Sequence, residues 1–373
     1  MTLLQYGPDR TAARAIVRPF QPVSWAYMHL GRPGKDARHS QLRAIRERVS
    51  AGGASRASIE ALSDRLQQAP VSPGTLAVFA DTDGTIVHEQ GLVFEDFDDV
   101  AGYSSPADVS ALLAADQARP PFVCAVVDRL GADITYAPGG DGTEHEVSVV
   151  GPDDDIRHNA PGGWAGLSQS RFENRAHDSW QHNARRVAER IDDYAGLVDA
   201  QAVIICGKER ATGLVGDALH VTHGVLVERL DGSRAAAHYR TAQARRLRDA
   251  LDHVADRQTS QLLATFAEDL GTGRAVQGVR DTVSALAAGR VATLLVDPGG
   301  AVGNVWFGAG ATELYTDRNQ ALLAPGPVES GPLARVAIRA ALLSGAQVRI
   351  LPAGAEPSPL DGIGALCRFG APT

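Results

Sequence analysis

PFVCAVVDRLGADITYA, residues 121–137, holds two apolar runs, FVCAVVD (122–128) and DITYA (133–137), separated by the turn Arg129–Ala132. Short runs rich in β-branched residues on either side of a turn predict strand, turn and strand. A Gly/Asp-rich turn at 139–142 and the alternating EVSVVG (146–151) add a third strand. The chain then enters a polar, glycine-rich loop, DDDIRHNAPGGWAGLSQ (153–169), and a long helix. In that helix Phe172, Ala176, Trp180, Ala184, Val187 and Ile191 recur every three or four residues, one continuous stripe for burial. AVIICG (202–207) returns to the sheet, which makes the whole an αβ crossover.

Similar alternation extends to both sides. Upstream, PVSWAYM (22–28) predicts a strand, and Leu42, Ile45 and Val49 mark an amphipathic helix over 34–49. Lys35, Arg38, Arg43, Arg46 and Arg48 fall mostly off that apolar stripe and give the helix a basic outer face. Gly52, Gly53 and Ser55 interrupt it, and Ile59, Leu62 and Leu66 carry a second helix that stops before Pro70. TLAVFA (75–80), the turn residues Asp81–Gly84 and TIVHEQ then predict a β-hairpin. Downstream, an Ala/Arg-rich stretch at 234–269 predicts a bridging helix. Beyond it come a helix over 275–288, strand VATLLVD (291–297), turn DPGG, strand AVGNVWFG, helix LARVAIRAALLSG (333–345), strand QVRILP (347–352) and a last apolar run, GALCRF. The expected fold is a three-domain α/β chain, each domain a mixed sheet with helices, divided at 1–118, 119–250 and 251–373. There is no internal repeat at a fixed period.

The composition is that of a soluble globular protein: 373 residues, 44% hydrophobic, with a formal net charge of −8. Cys124, Cys206 and Cys367 are too few and too widely spaced for a disulfide scaffold, and two sit in apolar runs, as reduced core residues do. No window approaches a membrane span, and MTLLQYGPDRTAARAIVRPF lacks the pattern of a signal peptide, so the expected location is the cytoplasm, without a membrane partner. The acidic total argues against a general polyanion binder such as a DNA-coating protein, but a large RNA needs only a local basic surface.

Two motifs invite an enzymatic reading. Ala80–Thr85, ADTDGT, matches the first motif of haloacid-dehalogenase-type phosphatases, in which one Asp attacks phosphorus and the next is the acid/base. The following TIVHEQGLVF reads as a returning strand rather than the crossover that chemistry requires, which favours turn chemistry. GGDGT (139–143) matches a nucleotide-phosphate loop, yet a strand pattern follows it instead of a helix. His177 and His182 are five apart, not the four that place two ligands on one helix face, so no metal is assigned, and no cofactor motif survives.

APGGWAGLSQSRFENRAHDSWQHNARRVAER (160–190) is different. Residues 157–190 carry six arginines, Arg157, Arg171, Arg175, Arg185, Arg186 and Arg190, against three acids, Glu173, Asp178 and Glu189. A glycine-rich tip feeding a basic helix suits a phosphate-lined cavity, with backbone amides and guanidinium forks on phosphates and Trp164 stacked on a base. A solvated helix face gives the same pattern from charge alone.

This segment resembles the central loop and helix of the archaeo-eukaryotic peptide-release factors and their relative Pelota, in which a Gly-Gly-Gln loop precedes a Ser, an Arg-Phe pair and an Arg-rich helix. The matching residues are Gly162-Gly163, Ser170-Arg171-Phe172, Arg175 and Val187-Ala188-Glu189. The wider layout resembles bacterial members of that superfamily, in particular actinobacterial relatives of the ribosome hibernation factor Balon, through PFVCAVVDRLGADITYA, GGW…SQSRFENRAHDSW and the ending LDGIGALCRF. The resemblance implies release-factor/Pelota-like middle and C-terminal domains. It also implies an N-terminal domain near the decoding centre, a loop directed at the peptidyl-transferase centre, and a C-terminal domain that meets a translational GTPase such as elongation factor Tu. The implied RNA-contacting set is His158, Gly162, Gly163, Trp164, Gln169, Arg171 and Arg175, with Lys35, Arg38, Arg43 and Arg46 on the N-terminal helix.

One departure bears on chemistry. Trp164, not glutamine, follows Gly162-Gly163, and Gln169 lies six residues beyond Gly163. The expectation is therefore a non-enzymatic ribosome-binding factor that fills the A site in hibernation or stress. The alternative is a hydrolase, either a peptidyl-tRNA esterase using Gln169 or a phosphatase using Asp81 and Asp83.

Overall fold

The computed structural model describes residues 10–31, 35–71, 74–92, 98–139, 144–150, 169–221, 225–231 and 239–370. Its first segment runs α1 (Arg10–Val17), β1 (Val23–His29), α2 (Lys35–Ala51), α3 (Arg56–Gln68), β2 (Thr75–Ala80), β3 (Ile86–Leu92), β4 (Val100–Ser104) and α4 (Ser110–Ala118). The four strands form an antiparallel sheet in the order β3-β2-β1-β4. Side chains alternate across a strand, so Trp25 and Tyr27 join Phe79 on one face, while Ala26 and Met28 meet Ile45, Val49, Leu62 and Leu66 of α2 and α3 on the other. Ser55 caps α3 by accepting the Ser58 amide at 3.1 Å.

The second segment continues with β5 (Phe122–Val127), β6 (Gly131–Ala137), β7 (His145–Val150), α5 (Gln169–Val198), β8 (Ala202–Gly207), α6 (Glu209–Ala218), β9 (Leu226–Asp231) and α7 (Tyr239–Gly271). Its sheet has the order β7-β6-β5-β8-β9, with β5, β8 and β9 parallel and β6 and β7 antiparallel additions at one side. β5 and β8 are apolar throughout because both their faces are covered. Val123, Ala125, Val203 and Ile205 pack on α5, and Phe122, Cys124, Ile204 and Cys206 pack with Ala250, Leu251 and Val254 of α7. The strand–turn–strand, crossover helix and returning strand read from the sequence are all present. Cys124 and Cys206 are buried free thiols. The adjoining Cys206 sulfur and burial push the Cys124 thiol up, so it stays protonated.

The last segment comprises β10 (Ala275–Gln277), α8 (Val279–Ala287), β11 (Val291–Val296), β12 (Asn304–Phe307), β13 (Leu314–Tyr315), α9 (Arg318–Leu322), β14 (Glu329–Pro332), α10 (Leu333–Leu343), β15 (Gln347–Ile350) and β16 (Ile363–Cys367). It holds a mixed sheet, β10-β16-β11-β15, and a small antiparallel one, β13-β12-β14. The helix expected from 275 begins at Val279. Ala275–Gln277 instead pair with β16, and Gly278, at φ +80°, turns the chain into α8.

Two compact units result: Ala118–Arg257, and Asp9–Gln117 together with Gln258–Thr373. In the latter, residues from both ends of the chain build one core, with Trp25, Tyr27, Phe79 and Leu112 among Val283, Leu294, Phe307, Val336 and Ile338. Polar contacts cross the same seam. Arg335 donates to Asp108 Oδ2 at 3.2 Å and lies 5.0 Å from the Trp25 ring. The Gln117 side-chain amide donates to Val348 O at 2.8 Å and accepts from Ile350 N at 3.0 Å, serving the edge of β15 as a neighbouring strand would.

Candidate nucleic-acid interface

α5 is long because nothing interrupts it: from Gln169 to Ala195 there is neither proline nor glycine, and Ala, Arg, Gln and Glu are good helix formers. One face is fixed by burial of Ala184, Val187, Ala188, Ile191, Ala195 and Val198. Asn183, 2% exposed, ties it to the β5–β6 turn by donating to Arg129 O at 3.0 Å. At about 100° per residue, His182 and Arg186 stand opposite that face together with Glu189 and Asp193, while Arg185 stands at its flank, and all five are exposed. Arg210 of α6 lies over the Trp180 ring at 4.5 Å, a cation–π contact beside this surface.

His158, Gly162, Gly163 and Trp164 lie outside the described residues. Gln169, Arg171 and Arg175 belong to the first turns of α5, and Lys35 opens α2; their side chains also lie outside the described set. On α2, Arg43 is 81% exposed and pairs with Glu47 one turn on at 3.8 Å, and Arg46 is exposed. Arg38 has a different place from the outer face read off the helical spacing. It is partly buried, donates to Leu66 O at 2.6 Å and Ala69 O at 2.8 Å, and so holds the carbonyl end of α3. Burial lowers its pKa from the ordinary arginine value.

Asp81 and Asp83 occupy a hairpin turn. β2 and β3 pair antiparallel on either side, and Asp81 Oδ1 accepts the amides of Asp83 at 3.0 Å and Thr85 at 2.8 Å. The phosphatase alternative needs a crossover here, and the chain instead returns as the paired strand β3. Asp81→Asn, which keeps an acceptor oxygen, is expected to leave thermal stability nearly unchanged, whereas Asp81→Ala removes the acceptor of two exposed turn amides and costs about 1 kcal/mol; differential scanning calorimetry distinguishes the two. The strands flanking GGDGT likewise pair with each other, β6 to β7. No cluster of three or more His, Cys, Asp or Glu suited to a metal occurs among the described residues, and no helix among them is long and apolar enough to cross a membrane.

One arrangement escaped the sequence reading. Tyr136, His145 and Tyr194, from β6, β7 and α5, stack ring on ring. A hairpin register drawn through the Gly/Asp-rich turn pairs Tyr136 with His145, but no local signal brings in Tyr194.

With this geometry in place, residues 121–272 match the model of bacterial archaeo-eukaryotic release factor family 2, a span that includes all of α5 and its sheet. Among curated proteins, Uncharacterized protein Rv2629 of Mycobacterium tuberculosis is 25% identical over 371 residues, covering 95% of this chain and 94% of its own. Among solved structures, Archaeoglobus fulgidus Pelota aligns with 13% identity and a TM-score of 0.36, over 99% of this chain and 95% of its own. Archaeal Pelota, from a model of its ribosome-bound form with ABCE1, aligns with 16% identity and a TM-score of 0.40, over 97% and 94%.

Proposed function

We propose that this protein is a ribosome-associated translation factor of release-factor/Pelota type that occupies the A site in the cytoplasm during hibernation or stress and does not release peptide. One observation carries the reading: the segment that matches the release-factor family contains a helix whose core face is apolar and whose exposed side carries Arg185, Arg186 and Arg190 beside Glu189 and Asp193. Guanidinium groups on a rigid helix are well suited to phosphate oxygens, which they engage through two parallel hydrogen bonds. Trp164 after Gly162-Gly163 leaves the loop without the glutamine that release chemistry uses at that place. A GTPase of the elongation factor Tu class is the proposed partner of the C-terminal segment.

The test is co-sedimentation of purified protein with vacant bacterial ribosomes across a salt series, with and without elongation factor Tu and GDP. Stoichiometric binding that weakens with salt is expected, because phosphate contacts release counterions. Replacing Arg171 and Arg175 together by Ala is expected to lower the salt slope by about 2 and weaken binding without changing the circular dichroism spectrum. Absence of binding at low salt would sink the reading. Peptide release from peptidyl-tRNA that Gln169→Ala abolishes would replace it with the esterase alternative.

A further inference from the structure

Tyr136 lies between His145, at 5.1 Å between ring centroids and 22° between ring planes, and Tyr194, at 4.4 Å and 10°. Among the described residues other aromatic pairs are inclined, Tyr27 with Phe79 at 90°, Phe20 with Phe307 at 74° and Trp25 with Tyr27 at 59°, so the near-parallel stack is set apart by its geometry. The parallel stack belongs to the surface: Tyr136 and Tyr194 are partly buried, and the terminal ring, His145, is exposed. Part of its purpose is internal. Tyr136 and His145 are directly opposed across the β6–β7 pair, and Tyr194 fastens α5 to that hairpin. Fastening does not require the outermost member to be an exposed aromatic, however, and a parallel stack is a surface that a nucleobase extends.

Cations line the helix that carries its inner ring, Tyr194. Along α5, His182, Arg186, Arg190 and Tyr194 follow one another at steps of four, and the first three are exposed. With a rise of about 1.5 Å per residue, Arg190 and Arg186 stand roughly 6 and 12 Å along the helix from Tyr194. Acids share this part of the helix: Glu189 is exposed, Asp193 pairs with Arg190 at 3.4 Å, and Asp192 accepts the His220 amide at 3.0 Å. The Arg190 pair is exposed and of the kind that exchanges partners at little cost.

We propose that the His145–Tyr136–Tyr194 stack is a docking platform for an unpaired base of RNA, with Arg186 and Arg190 of α5 receiving the adjoining phosphates. This deepens the reading above, on which it rests, by specifying single-stranded rather than helical RNA at this end of the helix. A base in a duplex is already stacked on both sides and cannot add to the platform; an unpaired one can.

Fluorescence anisotropy of the full-length protein with a labelled short oligouridylate, against the same strand in a duplex with oligoadenylate, tests this. The single strand is expected to bind more tightly than the duplex. His145→Ala is expected to weaken single-strand binding roughly fivefold to a hundredfold, the range for loss of one stacked base, and His145→Phe to restore it. The pair Arg186→Glu and Arg190→Glu is expected to weaken binding and flatten its salt dependence. Equal affinity of wild type and His145→Ala, duplex binding as tight as single-strand binding, or no binding at low salt each overturns the proposal. Ribosome co-sedimentation of the same variants separates the two readings. Wild-type ribosome binding without His145-dependent oligonucleotide binding removes the platform alone. Oligonucleotide binding without ribosome binding removes the ribosomal reading and leaves the platform. Ribosome binding that depends on His145 while oligonucleotide binding does not would assign the stack to a ribosomal protein instead.

Discussion

Arg339→Ala is expected to destabilise the unit formed by the two ends of the chain by about 3 kcal/mol or more, the size expected when several buried acceptors lose their donor at once. Arg339 lies on α10 and is 2% exposed. Its guanidinium donates to Val17 O at 3.0 Å, Gly308 O at 3.2 Å and Ala309 O at 2.8 Å, and it lies beside the paired rings of Phe20 and Phe307 at 5.7 and 5.6 Å. Burial lowers its pKa, and the charges of Glu313 and Glu329 oppose that. Alanine would strand three carbonyls and leave a gap beneath α1, and each unsatisfied buried carbonyl costs about 1–3 kcal/mol on its own. The costs overlap, so their plain sum overstates the effect. Arg339→Lys is expected to recover part of the loss, since one ammonium cannot span three acceptors arranged for a planar fork. The readout is the urea midpoint followed by fluorescence, where Trp25 and Trp306 report on this unit. A midpoint unchanged in Arg339→Ala would show that the three carbonyls find other donors.

Gly362→Ala is expected to cost about 3 kcal/mol or more, and to deplete soluble protein. Gly362 has φ +67°, and a Cβ there would come within 2.3 Å of Gly300 C and 2.4 Å of Ala301 N, backbone atoms with no room to yield. The approach is close because Gly362 O accepts the Asp297 amide at 2.8 Å, which presses the turn after β11 onto the start of β16. Gly354 supplies the control: its φ is +77°, and nothing lies within 4 Å of its Cβ position. Gly354→Ala therefore isolates the conformational penalty, about 1 kcal/mol, and the difference between the two variants measures the clash. Equal midpoints for both would show that the clash relaxes at no cost. The DGIG in the C-terminal ending thus has a packing reason independent of any partner.

The parts of the fold that could be read from the sequence are those in which one segment carries its own answer. FVCAVV and AVIICG are apolar at every position because both faces are covered; Asp81 to Thr85 carries turn chemistry; Ala184, Val187 and Ile191 mark the inner side of α5. The shared core of the chain ends could not be read this way. Trp25 and Tyr27 present the same alternation whether their cover comes from nearby or from Phe307 and Val336 more than two hundred residues later. Arg38 failed for a related reason. Its position on α2 was visible, but the carbonyls it meets belong to the end of α3. On α5 the exposed arginines follow from helical spacing, while the aromatic stack needs a strand register and a helix placement together.

The joint core also sets a timetable. On a ribosome adding about 5–20 residues per second, the second segment can close its own sheet once α7 emerges, but the apolar side of β1 and β2 must wait for α8, β11 and α10. At that rate the wait between Gln258 and the end of α10 at Leu343 is on the order of ten seconds. Throughout it Trp25, Tyr27 and Phe79 lack the C-terminal half of their shared core, which makes the nascent N-terminal sheet a natural client for a chaperone that holds exposed apolar strands. Shortening that interval by circular permutation, so that the two ends are translated in succession, should relieve the dependence.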